Sequence, residues 1–122
     1  MTPHTPFPNK LIDEVMPTLR DTEWRVLCVI VRSTLGWRMP DRSRKQSDRI
    51  SHRQLMRRTG RQSEAVSRAI ARLVCAGLIT VIDAEGDVIG TPRARQRHRG
   101  RIFYEVSAAV VGENVSIRAM RF

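Results

Sequence analysis

The sequence is poor in most residues that would point to redox, metal or membrane chemistry. It has two cysteines, Cys28 and Cys75, too few for a disulfide framework or a metal knuckle. The three histidines, His4, His52 and His98, stand far apart and without ligand spacing, so no cofactor is expected. Aromatics make up 5% of the chain, and most read as buried. That is little for an RNA-binding module that stacks bases on exposed rings. Carboxylates cluster once, at Asp83, Glu85 and Asp87 on a turn, with no partner ligand for metal-dependent cleavage, and no enzyme is expected. No apolar run approaches the ~20 residues that cross a bilayer. The stretch Met1 to Asn9 has three prolines and no apolar segment of the secretory kind, so the expected location is the cytoplasm, without membrane contact. Lysine is nearly missing: Lys10 and Lys45 are the only two among 22 basic residues.

What is present is arginine, and its placement is uneven. The chain of 122 residues carries a net charge of +10. Residues Met1–Trp37 are neutral in balance, Arg38–Arg72 carry eleven basic and three acidic residues, and Arg93–Arg101 carry five arginines and no acid. Two basic blocks of this kind suit a polyanion-binding face, whereas dispersed lysine would serve solubility as well. Arginine is the side chain that makes forked contacts with phosphate and guanine.

The length suits one domain able to bury a core without disulfides, and the 41% hydrophobic content is ordinary. We expect an N-terminal arm at 1–8, a folded domain at 9–107 and a tail at 108–122. Asn9 can cap a short helix to about Met16, with Leu11, Ile12 and Val15 on one side, and Pro17 ends it. Asp21 reads as the N-cap of a central helix from Thr22 to Leu35, whose stripe Trp24, Leu27, Cys28, Val31 and Leu35 faces the core. Gly36 stops it in the C′ position. Residues 38–48 read as a loop, with Trp37 packed beneath it. Ser51 and Gln54 form a capping box for a helix from His52 to Thr59, which Gly60 stops. A turn leads to a helix from Ser63 to Ala76 with a core stripe of Val66, Ala69, Ile70, Leu73 and Val74. Arg61, Glu64, Arg68 and Arg72 lie opposite, and Cys75 lies off the stripe. Leu78–Ile82 reads as a strand, Ala84–Asp87 as a turn that Val88 and Ile89 can extend into a hairpin, and Ile102–Val106 as a second strand with Ile102, Tyr104 and Val106 inward. Between them Arg93, Arg95, Arg97, Arg99 and Arg101 would all point to one side of an extended ribbon.

This order of elements is that of a winged helix-turn-helix, an α+β, mostly helical fold with a β-wing of two to three strands. Its second helix docks in the DNA major groove, which admits one helix. On this reading Gln62, Ser63, Ser67, Arg68 and Arg72 meet bases. Arg53, Arg57 and Arg58 face the phosphates, Gln54 and Arg61 also belong to the DNA-binding set, and the five arginines of the ribbon form a basic wing that His98 could assist. The plainer reading of any one of these is a solvated surface side chain.

Motifs in order also resemble a known family. Pro8-Asn9-Lys10-Leu11-Ile12, Glu23-Trp24-Arg25-Val26-Leu27, Ser33-Thr34-Leu35-Gly36-Trp37, Asp48-Arg49-Ile50-Ser51 with Gln54-Leu55, Thr59-Gly60 with Val66-Ser67-Arg68-Ala69-Ile70, and Gly77-Leu78-Ile79 are similar to the amino-terminal DNA-binding domain of lambda-type phage replication protein O. The resemblance spans roughly residues 8–80. It implies an initiator that binds origin repeats as a homodimer, with replication or helicase-loading partners if it belongs to a longer protein. His52 and Arg61 depart from the family pattern, where apolar residues are usual. The fold is equally open to a transcriptional regulator. Val110, Val111, Val115, Ile117, Met120 and Phe122 are the expected apolar dimer contact.

Overall fold

A computed structural model describes residues 3–111. It is α+β and about half helical, with one small antiparallel sheet.

The chain enters through an irregular turn in place of the expected regular helix. Leu11–Val15 winds widely, Met16 N donating five residues back to the Leu11 carbonyl, and Met16–Thr18 then tightens into a 3₁₀ turn. Pro17 sits in the first positions of that second turn, where its missing N–H costs nothing. Leu11 and Val15 are buried, but Ile12 is exposed, and Lys10, not Asn9, holds the N-cap position.

Helix α1 spans Asp21–Thr34. Arg20, in an extended conformation, holds the N-cap position that we expected of Asp21. Arginine has no acceptor to offer the first turn. Half of a capping box replaces it, with Arg20 N donating to Glu23 Oε1 at 3.1 Å. Val26, Leu27, Ile30 and Val31 of α1 are fully buried. Trp24 and Cys28, expected in the core, are only half-buried at its edge, and Trp24 takes the Phe7 ring edge-on at 5.7 Å between centroids. Gly36 follows the C-cap Leu35 as expected but is not left-handed. A side chain there is barred by proximity: a Cβ would lie 2.2 Å from the Arg32 carbonyl oxygen.

The expected loop after Trp37 is partly paired. Met39 N donates to Ser43 O at 2.8 Å and Lys45 N to Trp37 O at 3.0 Å, and strand β1 (Ser47–Arg49) follows. Its residues Ser, Asp and Arg gave no apolar alternation to read. Trp37 is 56% exposed and not packed beneath this segment; the Lys45 ammonium lies 6.0 Å from its ring centroid.

Helices α2 (His52–Thr59) and α3 (Ser63–Cys75) fall within a residue of their predicted ends. Ser51 and Gln54 cap each other reciprocally, at 3.0 Å and 2.8 Å. Gly60 ends α2 in the left-handed conformation, φ 70°, where a side chain is strained. Strand β2 (Ile79–Ile82) pairs with β3 (Phe103–Val106), and β3 with β1, giving the order β1-β3-β2. Ile79 faces Val106, and Val81 faces Tyr104. These four side chains join Leu55, Val66, Ile70 and Leu73 in a single core under α1. Ile102 is partly buried against it.

After β2 the Asp83 carboxylate staples the turn by accepting from Glu85 N and Asp87 N, and Ile89 N returns to Val81 O at 2.8 Å. The basic segment is not the expected extended ribbon. Pro92–Arg97 forms helix α4, with Thr91 Oγ1 accepting from Ala94 N at 3.1 Å. A threonine cap followed by proline in the first helical position is a standard helix start, and it overrides the alternation of arginines. After β3, helix α5 (Ala108–Val111) begins the tail. Its Val110 is buried in the domain's own core rather than held out for a dimer. Val115, Ile117, Met120 and Phe122 lie outside the described residues.

Candidate nucleic-acid interface

The α2–α3 pair is locked at three points, and each uses a polar side chain. Arg25 of α1 donates to the Thr59 carbonyl at 2.7 Å, satisfying an orphan acceptor at the end of α2. Arg58 Nη1 donates to Ser33 Oγ at 2.8 Å. Arg61 Nε donates to Thr22 Oγ1 at 3.2 Å. The last two arginines belong to the expected DNA-binding set, Arg58 as a phosphate contact; here both are hydrogen-bonded to α1, and Arg61 is half-buried. A fourth contact joins α2 to α3 directly. His52 Nε2 lies 3.1 Å from the Ser63 carbonyl and 3.0 Å from its hydroxyl. A carbonyl only accepts, so Nε2 carries the proton. This explains why a histidine can stand at a position read as ordinarily apolar: it pins the start of α3.

The other expected residues of these helices do face outward. Arg53 and Arg57, one turn apart on α2, are exposed. So is Gln54, though its side chain is occupied in the cap. On α3 the buried stripe Val66, Ala69, Ile70 and Leu73 leaves Arg68 and Arg72 exposed and Ser67 half-buried. Gln62 holds the N-cap position without using its side chain there. Arg68 is paired with Glu64 one turn back, both side chains more than three-quarters exposed, a pair that water and salt weaken readily.

Helical geometry divides the arginines that an extended ribbon would have aligned. Arg93 and Arg97 share one face of α4 and are exposed, and Arg95 lies on the other, half-buried. Arg99 and Arg101 follow in the exposed segment before β3. Burial holds the Arg95 guanidinium below its ordinary pKa, with Tyr104 and Cys75 opposing the shift; it remains a cation at neutrality. Burial likewise pushes the Tyr104 phenol up to about 12, partly offset by Arg95.

One cleft joins the two basic regions. Ser63, Ser67 and Ile70 of α3 form one wall, and Pro92, Arg95 and Gln96 of α4 with Gly100 and Arg101 form the other. Arg49, at the end of β1, lines it too. It was not among the expected contacts, because a three-residue polar strand carries no signal of its own. Among the described residues, no three His, Cys, Asp or Glu side chains come together as a metal site, and no helix is long and apolar enough to cross a membrane. No known protein family, curated protein or solved structure matches the chain.

Proposed function

We propose that this protein is a winged-helix protein that binds double-stranded DNA sequence-specifically, with α3 as the recognition helix and the 93–101 arginines flanking it. The single observation that carries this reading is the shared cleft: α3 and the arginine segment lie side by side, so one duplex can touch both. The order α1, β1, α2, α3, β2, β3 with the sheet order β1-β3-β2 supports it, being the arrangement in which the second of two tightly joined helices is presented outward. Arg68 and Arg72, with Gln62, Ser63 and Ser67, are the base-reading set. Arg53, Arg57, Arg93, Arg97, Arg99 and Arg101 are the phosphate set, which gives affinity and register. The motif resemblance favours a phage-type replication initiator acting at origin repeats.

Selection of bound duplexes from a random library, followed by gel shift, tests this directly. A recovered repeat that matches an origin supports the initiator role, and one that matches a promoter makes the protein a regulator. Failure to retain any duplex at low ionic strength overturns the proposal. Replacing Arg68 by Ala should cost about 1–3 kcal/mol on the selected site and relax its sequence choice; equal losses on random DNA would contradict the role given to Arg68. Light scattering with and without the selected duplex decides whether it acts as a homodimer.

A further inference from the structure

The cleft between α3 and α4 has the composition of a ligand site as well as of a junction. It encloses about 440 Å³, more than a bare oxyanion fills and within the ~300–1,000 Å³ typical of small-molecule pockets. Its lining includes Arg49, Arg95 and Arg101 and no carboxylate. Three guanidinium groups with no acid beside them in the lining suit an anion. Arg95 Nη1 is buried and has no hydrogen-bond partner among the described residues, an exception to the rule that buried donors are paired. The Ser63 hydroxyl, 3.0 Å from His52 Nε2, adds a polar group to the same wall. Ile50, Ile70, Ile102 and Pro92 supply the apolar part of the lining, beside the polar Ser51, His52, Ser67, Gln96 and Tyr104.

We propose that this cleft binds a phosphorylated small organic molecule of nucleoside-monophosphate size, with the phosphate among the three arginines and a flat apolar body on the isoleucines. Arginine forks match phosphate oxygens, and a dianion answers the threefold charge better than a carboxylate does. The same phosphate chemistry could come from a duplex backbone, so the test separates the two sources. Because the pocket's walls are α3 and α4, occupancy would also alter how the proposed DNA-binding surface meets a duplex.

The experiment is calorimetric titration of the whole chain with thymidine monophosphate, adenosine monophosphate, the parent nucleosides and inorganic phosphate, at low ionic strength. The expected result is saturable one-to-one binding of at least one monophosphate, about tenfold or more tighter than its nucleoside or phosphate alone. Arg95→Gln should weaken it by about tenfold. Arg101→Gln, in an exposed segment where folding is not at stake, should weaken it as well. No saturable binding, equal binding of inorganic phosphate, or binding indifferent to both variants overturns the proposal. If monophosphates fail to bind while both variants weaken duplex binding, the phosphate belongs to the DNA backbone and the free-ligand site is refuted. A chain that takes a monophosphate but ignores all duplexes keeps the pocket and loses the DNA-binding reading instead.

Discussion

The guanidinium of Arg25, on α1, donates to the Thr59 carbonyl at the end of α2 at 2.7 Å. That bond ties the end of α2, where the turn to α3 begins, to the neighbouring helix α1. Charge-assisted hydrogen bonds contribute about 1.5–3 kcal/mol. Arg25→Met should therefore lower the urea-unfolding free energy by about that amount. Because Arg25 is outside the proposed DNA-binding set, duplex affinity per folded molecule should stay unchanged. A stability loss below about 0.5 kcal/mol would mean that the bond is replaced by water without cost.

Gly36 and Gly90 make a matched pair for a second measurement. A Cβ at Gly36 would meet the Arg32 carbonyl oxygen at 2.2 Å and Thr5 Oγ1 at 2.9 Å, while one at Gly90 would meet nothing within 4 Å. Neither has a positive φ, so the contrast is one of space alone. Gly36→Ala should destabilise by about 1–3 kcal/mol, the usual cost of overpacking. Gly90→Ala should be neutral or stabilise by up to about 1 kcal/mol through the unfolded chain. Thermal melts of the two variants read the difference.

The parts of this fold that sequence reading anticipates are those decided locally. The Ser51–Gln54 box, the left-handed Gly60 and Gly77 and the apolar stripe of α3 bound α2 and α3 to within a residue, because caps and stripes act over one or two turns. The misreadings come from two physical sources. One is competition between local signals: in 93–101 the alternation of arginines suits an extended ribbon, but polar alternation carries no burial energy, and the Thr91-Pro92 start determines the helix. The other is tertiary packing. Nothing near Arg58 or Arg61 in the sequence announces Ser33 or Thr22 as partners. Likewise only the assembled core shows that Val110 is needed inside while Trp37 is not.

This division of the arginines gives a third prediction, on salt dependence. Each phosphate that an arginine neutralises adds about 0.9 to the slope of log affinity against log salt. Arg57→Ala and Arg97→Ala, at exposed positions, should each flatten that slope by about 1 on any duplex and leave stability nearly untouched. Arg61→Ala should do the reverse, keeping the slope and costing about 1–2 kcal/mol of stability through its lost bond to Thr22. If Arg61→Ala flattens the slope as much as Arg97→Ala does, then Arg61 swings out to meet the duplex and its contact with α1 is only a resting position.

Tyr104 is the sole tyrosine of the chain, so phenolate absorbance titrates one known side chain in the middle strand of the sheet. Burial pushes its pKa up to about 12, and the neighbouring Arg95 cation holds it lower than burial alone would. The protonated phenol is the form that the fold prefers. Its contribution to stability is therefore complete below the unfolded value near 10 and is lost as pH rises from there toward 12, by about 2–3 kcal/mol in total. Below pH ~10 this group gives no pH dependence at all. The native protein should show a phenolate midpoint about two units above that of the urea-unfolded chain, with unfolding encroaching on the upper limb. Arg95→Gln removes the opposing cation and should move the native midpoint higher still. A native midpoint near 10 would mean that water reaches the phenol, and that the floor of the cleft beneath Arg95 is open rather than closed.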